Sequence, residues 1–159
     1  MRKLVIGPRN SGKSVYAEEL MLQLCTEPIA YIATLPPAAC SAERIRRHQA
    51  RRGKDWKTWE MKDNPFLSLH LIHEALRGGR HVLLDGASIL VWRTCVFDGV
   101  LNELRAAAFL STLTKLLAAS KFDWILVDSS MPYPHLGIDD SFNRIVIAHH
   151  HIWSRLTTS

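Results

Sequence analysis

Hydrophobic and polar positions alternate along this chain in short apolar runs separated by longer amphipathic stretches. Lys3-Leu4-Val5-Ile6 opens the pattern, and a helical periodicity follows from Val15 to Leu24. Ile29 to Ala33 is short, apolar and closed by Thr34 and the Pro36-Pro37 break, as expected of a buried strand. Ser41 is placed to cap a helix from Ala42 to about Arg52, and Trp56 to Glu60 predicts a brief extended piece. Pro65 opens a further helix that ends at Gly78-Gly79. His81-Val82-Leu83-Leu84-Asp85 and Trp124-Ile125-Leu126-Val127-Asp128 are the next clear strands. Between them, Val100 to Ser120 reads as the longest helix, with Leu101, Leu104, Ala108, Leu110, Leu113, Leu116 and Leu117 near helical period. A loop rich in Pro and Ser, Ser129 to Asp139, precedes a last helical or mixed segment over Ser141 to Ser159. Continuous apolar strands alternating with helices predict an α/β fold: a mostly parallel central sheet with helices on both faces. No linker, repeat or low-complexity segment interrupts it, so residues 1–159 read as one domain.

The first turn after the first run carries the clearest chemistry. Gly7-Pro8-Arg9-Asn10-Ser11-Gly12-Lys13-Ser14 is G-x-x-x-x-G-K-[ST], with a strand pattern before it and a helix pattern after it. The glycines let the backbone bend around a phosphate chain. Successive N–H groups and the start of the helix then face the anion. In such a loop Lys13 reaches the β- and γ-phosphates and the Ser14 hydroxyl ligates Mg²⁺. Two strands end in an acid, Asp85 and Asp128, at the edge where open α/β sheets bind ligands; either could support the ion, or merely end a strand or cap a helix. The sequence therefore predicts a P-loop nucleotide-binding domain taking GTP or ATP with Mg²⁺.

A second feature is the basic stretch Arg44 to Arg52. On a helix Arg44, His48 and Arg51 share a face. Positive neighbours disfavour a second charge on the imidazole, and a neutral imidazole among cations suits attack on phosphorus and retention of departing pyrophosphate. A solvated basic face or a nucleic-acid patch would use the same residues. No interleaved aromatics or known nucleic-acid motif accompany them, so no nucleic-acid partner is expected.

Composition narrows the class further. A chain of 159 residues with 47% hydrophobic content can bury one core, and a formal net charge of +5 suits an anionic ligand. Cys25, Cys40 and Cys95 are far apart, the usage of a reducing cytosol. The early strand and loop leave no room for a signal peptide, and the longest apolar stretch, Gly86 to Trp92, is too short to span a membrane. These features predict a cytoplasmic enzyme. His149-His150-His151 reads as a surface or interface run rather than a metal site, because consecutive helical residues diverge. Trp92, Trp124 and Trp153 read as core or interface residues, and Lys54-Asp55-Trp56-Lys57 as a solvated turn with one anchoring Trp.

The P-loop, Tyr31-Ile32-Ala33-Thr34, Ala42-Glu43-Arg44-Ile45, His48, Arg51-Arg52, Trp56, Thr58 and Glu60 together resemble the bifunctional adenosylcobinamide kinase/adenosylcobinamide-phosphate guanylyltransferase family, which builds the nucleotide loop of cobalamin. The resemblance covers roughly the first 90 residues and thins towards Ile138. It implies a RecA-like P-loop domain that phosphorylates the aminopropanol hydroxyl of adenosylcobinamide, then transfers GMP from GTP through a guanylyl-histidine, by position His48. It implies nucleotide contacts at Gly7 to Ser14, at Ala33, Thr34 and Leu35, at Gln49, Ala50, Arg51 and Arg52, and at Glu60 and Asp85. It favours Asp85 over Asp128 as the acid that supports Mg²⁺ with Ser14, and it implies a homotrimer. The family's acidic cluster before the histidine is replaced here by Leu35 to Cys40, and its N-E-V-G-x-G-I-V-P loop by Ser129 to Ile138. Its last helix and closing strand have no recognisable counterpart after Ser141. A second reading, a regulatory nucleotide-binding homologue without cobinamide chemistry, predicts nucleotide binding without a histidine adduct.

Overall fold

A computed structural model describes residues 1–25, 28–34, 42–54, 56–60, 67–98, 100–130 and 140–158. In chain order the elements are β1 Arg2–Gly7, α1 Lys13–Leu24, β2 Ile29–Ala33, α2 Ala42–Arg51, β3 Trp56–Glu60, α3 Leu67–Arg77 and β4 His81–Asp85. There follow α4 Ala87–Cys95, β5 Val96–Phe97, β6 Val100–Leu101, α5 Glu103–Ala119, β7 Trp124–Ser129 and α6 Asp140–Leu156. Leu35, Cys40 and residues 131–138 lie outside the described residues.

Five strands form one sheet in the order β1-β7-β4-β2-β3, and every pairing is parallel. The strand that feeds the P-loop is thus separated by β7 from the strand that ends in Asp85. Because side chains alternate across a strand, the apolar runs serve both faces at once. Ile29, Tyr31, Leu83, Ile125 and Val127 pack with Ala17 and Met21 of α1 on one face. Ala30, Ile32, Val82, Leu84, Trp124 and Leu126 pack on the other with Ile72 of α3, Leu90 of α4, Leu110 and Leu113 of α5, and Phe142 and Trp153 of α6. Helices on both faces of a parallel sheet are the architecture the alternating pattern predicts. Trp124 and Trp153 are fully buried core residues, and Trp56 stacks edge-to-face on Tyr31 from its place in β3.

Three local features differ from expectation. The run Gly86 to Trp92 is most of a helix, α4, whose N-cap Gly86 has φ 92° and makes no side-chain cap of its own. The long helix begins at Glu103 rather than Val100, because the Asn102 side chain accepts from Arg105 N–H at 2.9 Å and caps it there. Val100 and Leu101 instead pair antiparallel with Val96 and Phe97, and Leu104, in the first turn of α5, is largely exposed. The histidine run is not simply a surface run. His150 is buried, with Nε2 at 2.8 Å from Asp128 Oδ2.

Candidate functional site

The loop from Gly7 to Gly12 turns through two left-handed residues, Asn10 (φ 58°) and Gly12 (φ 81°), before α1 begins at Lys13. Gly12 is a position where an L side chain is strained, which is why a glycine stands there. A Cβ on Gly7 would lie 2.9 Å from Ser11 Oγ, so a larger residue there would have to turn the serine hydroxyl aside. Lys13 folds back over the loop, its Nζ 2.9 Å from the Pro8 carbonyl oxygen. Arg9, Asn10, Ser11 and Gly12 are exposed around it.

Ser14, in the first turn of α1, is buried and directs its hydroxyl at Asp85 Oδ1, 3.1 Å away. The second oxygen of Asp85 accepts a short hydrogen bond from the Tyr31 hydroxyl. The other strand-end acid is committed elsewhere. Asp128 is buried, accepts from Ser88 N–H at 3.2 Å and from Ser129 N–H at 2.9 Å, takes a short bond from the Ser88 hydroxyl, and meets His150. Asp128 therefore caps α4, and Asp85 is the acid that faces the P-loop serine. A hydroxyl and a carboxylate beside a helix start are hard oxygen donors of the kind a Mg²⁺ ion takes together with phosphate and water.

The ends of β2, β3 and β4 lie level, with Ala33 paired to Glu60 on one side and to Asp85 on the other. Thr34 continues from this edge, fully buried, its hydroxyl donating to the carbonyls of Asp85 at 2.7 Å or Gly86 at 2.8 Å. Arg93 donates to the Thr34 carbonyl at 2.9 Å, which ties α4 to the same edge.

The basic stretch is the helix α2, and it comes down on α1 beside the P-loop. His48 Nδ1 lies 3.3 Å from Glu18 Oε1, and Arg51 Nε donates to Glu18 Oε2 at 3.0 Å. Arg51 also places a second guanidinium nitrogen 3.1 Å from His48 Nδ1. Arg52 donates to the His48 carbonyl at 2.8 Å and to Thr58 Oγ1 at 3.2 Å, and its guanidinium carbon sits over the Tyr31 ring, 3.8 Å from the centroid. Gln49 and Ala50 are exposed on the same helix, and Arg46 and Arg47 pair outward with Glu43.

Glu18 is therefore part of the site although no motif marks it, and Tyr31, which the resemblance includes without a role, joins it through Asp85. Burial of the Glu18 carboxyl raises its pKa, but hydrogen bonds from His48 and Arg51 and the Arg51 charge outweigh that and hold it below the ordinary carboxylate value. Tyr31 moves the opposite way. Burial first, then the charge and hydrogen bond of Asp85, push its phenol well above the usual range. The signal for Glu18 was present in the sequence: it sits on the buried stripe of α1 with Ser14, Ala17 and Met21, where an acid is out of place unless it has a partner.

At the opposite edge of the sheet, Cys25, His81 and Asp123 converge. The Asp123 carboxylate is engaged there by the Met1 amino group and by His81 at 3.3 Å. It closes the start of the sheet, well away from the loop.

The family model for cobinamide kinase / cobinamide phosphate guanyltransferase matches residues 3–133. This chain belongs to that family. The match spans the P-loop, α2 with His48, Glu60 and Asp85, and ends within the stretch where the resemblance thins. No curated protein sequence matches the chain. Among solved structures it is similar to the KaiC-like protein PH0186 from the hyperthermophilic archaeon Pyrococcus horikoshii OT3, with TM-score 0.57 and 14% identity over 89% of this chain and 67% of that one. At that identity the likeness is one of fold, and it agrees with an α/β architecture built on a parallel central sheet. Among the described residues no helix is long and apolar enough to cross a membrane.

Proposed function

We propose that this chain is a nucleotide-dependent transferase of cobalamin biosynthesis, phosphorylating adenosylcobinamide and then passing GMP from GTP to the phosphorylated product through a guanylyl-His48 intermediate. The observation that carries this reading is the approach of the two candidate centres. Glu18, one helical turn after Ser14, touches both His48 and Arg51, so the phosphate loop and the histidine helix serve one nucleotide. Family membership supports the substrate class.

In the kinase half, the Lys13 ammonium neutralises charge on the β- and γ-phosphates while the backbone amides of Gly7 to Ser14 hold them in line with the attacking hydroxyl. Mg²⁺, held by Ser14 and Asp85, supplies charge neutralisation on the phosphate oxygens when bound. In the guanylyl half, His48 attacks the α-phosphorus and pyrophosphate leaves among the cations of Arg51 and Lys13. Ala33, Thr34, Leu35, Gln49, Ala50, Arg52 and Glu60 surround the nucleoside in this reading. A carboxylate at Glu60 would accept from the guanine edge and select GTP. The working unit is a homo-oligomer, a trimer by family resemblance, in the cytoplasm.

The test is incubation with Mg²⁺ and α-³²P-GTP, followed by a denaturing gel and intact mass. A GMP adduct that is acid-labile and disappears in His48→Ala is the expected result. Nucleotide binding without any adduct would instead support the regulatory homologue.

A further inference from the structure

His48 presents one ring nitrogen, Nδ1, to two different partners. Glu18 Oε1 lies 3.3 Å from it and an Arg51 guanidinium nitrogen 3.1 Å from it. A guanidinium only donates and a carboxylate only accepts, so the two partners ask for opposite tautomers. If Nδ1 accepts from Arg51, the neutral ring carries its proton on Nε2 and has no lone pair facing outward. If Nδ1 donates to Glu18, the lone pair is on Nε2, on the side of the ring away from α1. Glu18 itself is buried at 4% exposure, and Arg51 Nε holds its other oxygen at 3.0 Å, so the carboxylate cannot turn aside.

We propose that Glu18 is the positioning residue for His48: with nucleotide bound it takes the Nδ1 proton in a hydrogen bond and so makes Nε2 the nucleophile. This rests on the guanylyl-transfer reading above. The Nε2 lone pair forms a bond to the α-phosphorus, the bond from that phosphorus to the bridging oxygen breaks, and pyrophosphate leaves with the electron pair. The Nδ1 proton stays on the ring, and the positive charge that the ring acquires lies against the Glu18 carboxylate. The arrangement is a nucleophile oriented by a buried acid, the same division of roles that a buried aspartate performs for a catalytic imidazole elsewhere.

Two measurements test it on the full chain. The ring ¹⁵N shifts of His48, assigned by the signal missing from His48→Gln among the eight histidines, report its tautomer in complex with the α,β-methylene analogue of GTP, which cannot lose pyrophosphate. The expected result is Nδ1–H in the wild type. Single-turnover adduct formation is then compared in wild type, Glu18→Gln and Glu18→Asp. Glu18→Gln is expected to slow the chemical step about 100-fold while Kd for the analogue is unchanged, with partial rescue in Glu18→Asp. Nε2–H in the wild-type complex, or an adduct rate unchanged in Glu18→Gln, overturns the role of Glu18 and leaves guanylyl transfer standing. No adduct in the wild type overturns guanylyl transfer and this role with it. The tautomer is read in a chain that keeps Glu18, so a failure of Glu18→Gln to fold does not protect the proposal.

Discussion

Asp85 has both carboxylate oxygens engaged, one by the Ser14 hydroxyl at 3.1 Å and the other by Tyr31. Tyr31 thereby fixes the rotamer of an acid that the proposed Mg²⁺ site depends on, and Arg52 over its ring links it to α2. Replacing it with Phe keeps the ring and its packing but removes the donor. Tyr31→Phe is expected to lose about 1 to 2 kcal/mol in urea denaturation at neutral pH. The two proteins should also differ in alkali. The phenol pKa is raised by folding from its ordinary value of 10.0, so its contribution is complete below that pH and declines as pH rises above it, where the unfolded chain ionises first. Stability measured through that range should fall more steeply in the wild type than in Tyr31→Phe. Parallel curves would mean that the hydroxyl carries no such linkage. The sequence announced the acid but not this partner, since a tyrosine inside an apolar strand looks like any other core residue until the neighbouring strand is placed beside it.

At the scale of elements, the sheet was legible because its strands are continuous apolar runs ended by polar residues. Ile29–Ala33 and His81–Asp85 fall where the pattern put them. The helix α4 was not legible. Its start has no capping side chain in its own sequence, and the cap arrives from Asp128, 40 residues further along the chain, through Ser88 N–H and the Ser88 hydroxyl. The same distant acid draws His150 inward, which no local reading of three consecutive histidines could reveal. Gly86 is the junction of these elements: its N–H donates to the Val127 carbonyl at 2.8 Å and its own carbonyl accepts from Leu90 N–H at 3.2 Å. It has φ +92°, and a Cβ there would lie 2.5 Å from Thr34 Oγ1 and 3.1 Å from Ile89 Cδ1. Gly86→Ala is therefore expected to cost about 2 to 4 kcal/mol, combining left-handed strain with overpacking. Thermal unfolding checks it, and a loss below that range would mean that the β2 and α4 edges can separate without consequence. Because Asp85 immediately precedes it, the variant should also weaken Mg²⁺-dependent nucleotide binding.

At the scale of the molecule, one face of the sheet carries the deep core of α3 to α6, and the other carries α1, with α2 joined to it through Glu18. The lighter face is the one that holds the P-loop helix and His48, and much of its cohesion there is polar. A ligand that bridges the loop, Asp85 and α2 adds contacts to the sheet face with the smaller apolar cluster among the described residues, and it binds only the folded chain. At a free concentration 100 times its Kd, such a ligand stabilises by about 2.7 kcal/mol. For a chain of 159 residues that corresponds to a rise of roughly 5 to 11 °C in Tm. Three variants separate the parts of the proposed site by this one readout. Lys13→Ala is expected to lose most of the shift with GTP, because it removes the charge that meets the β- and γ-phosphates. Asp85→Asn should retain a shift that no longer responds to Mg²⁺. His48→Ala should keep the full shift, since an imidazole that acts on the α-phosphorus contributes to the transition state more than to ground-state binding. A His48→Ala protein that gains nothing from GTP would mean that the histidine holds the nucleotide or the α2 helix rather than reacting with it, and the division of labour between the loop and the helix would have to be redrawn.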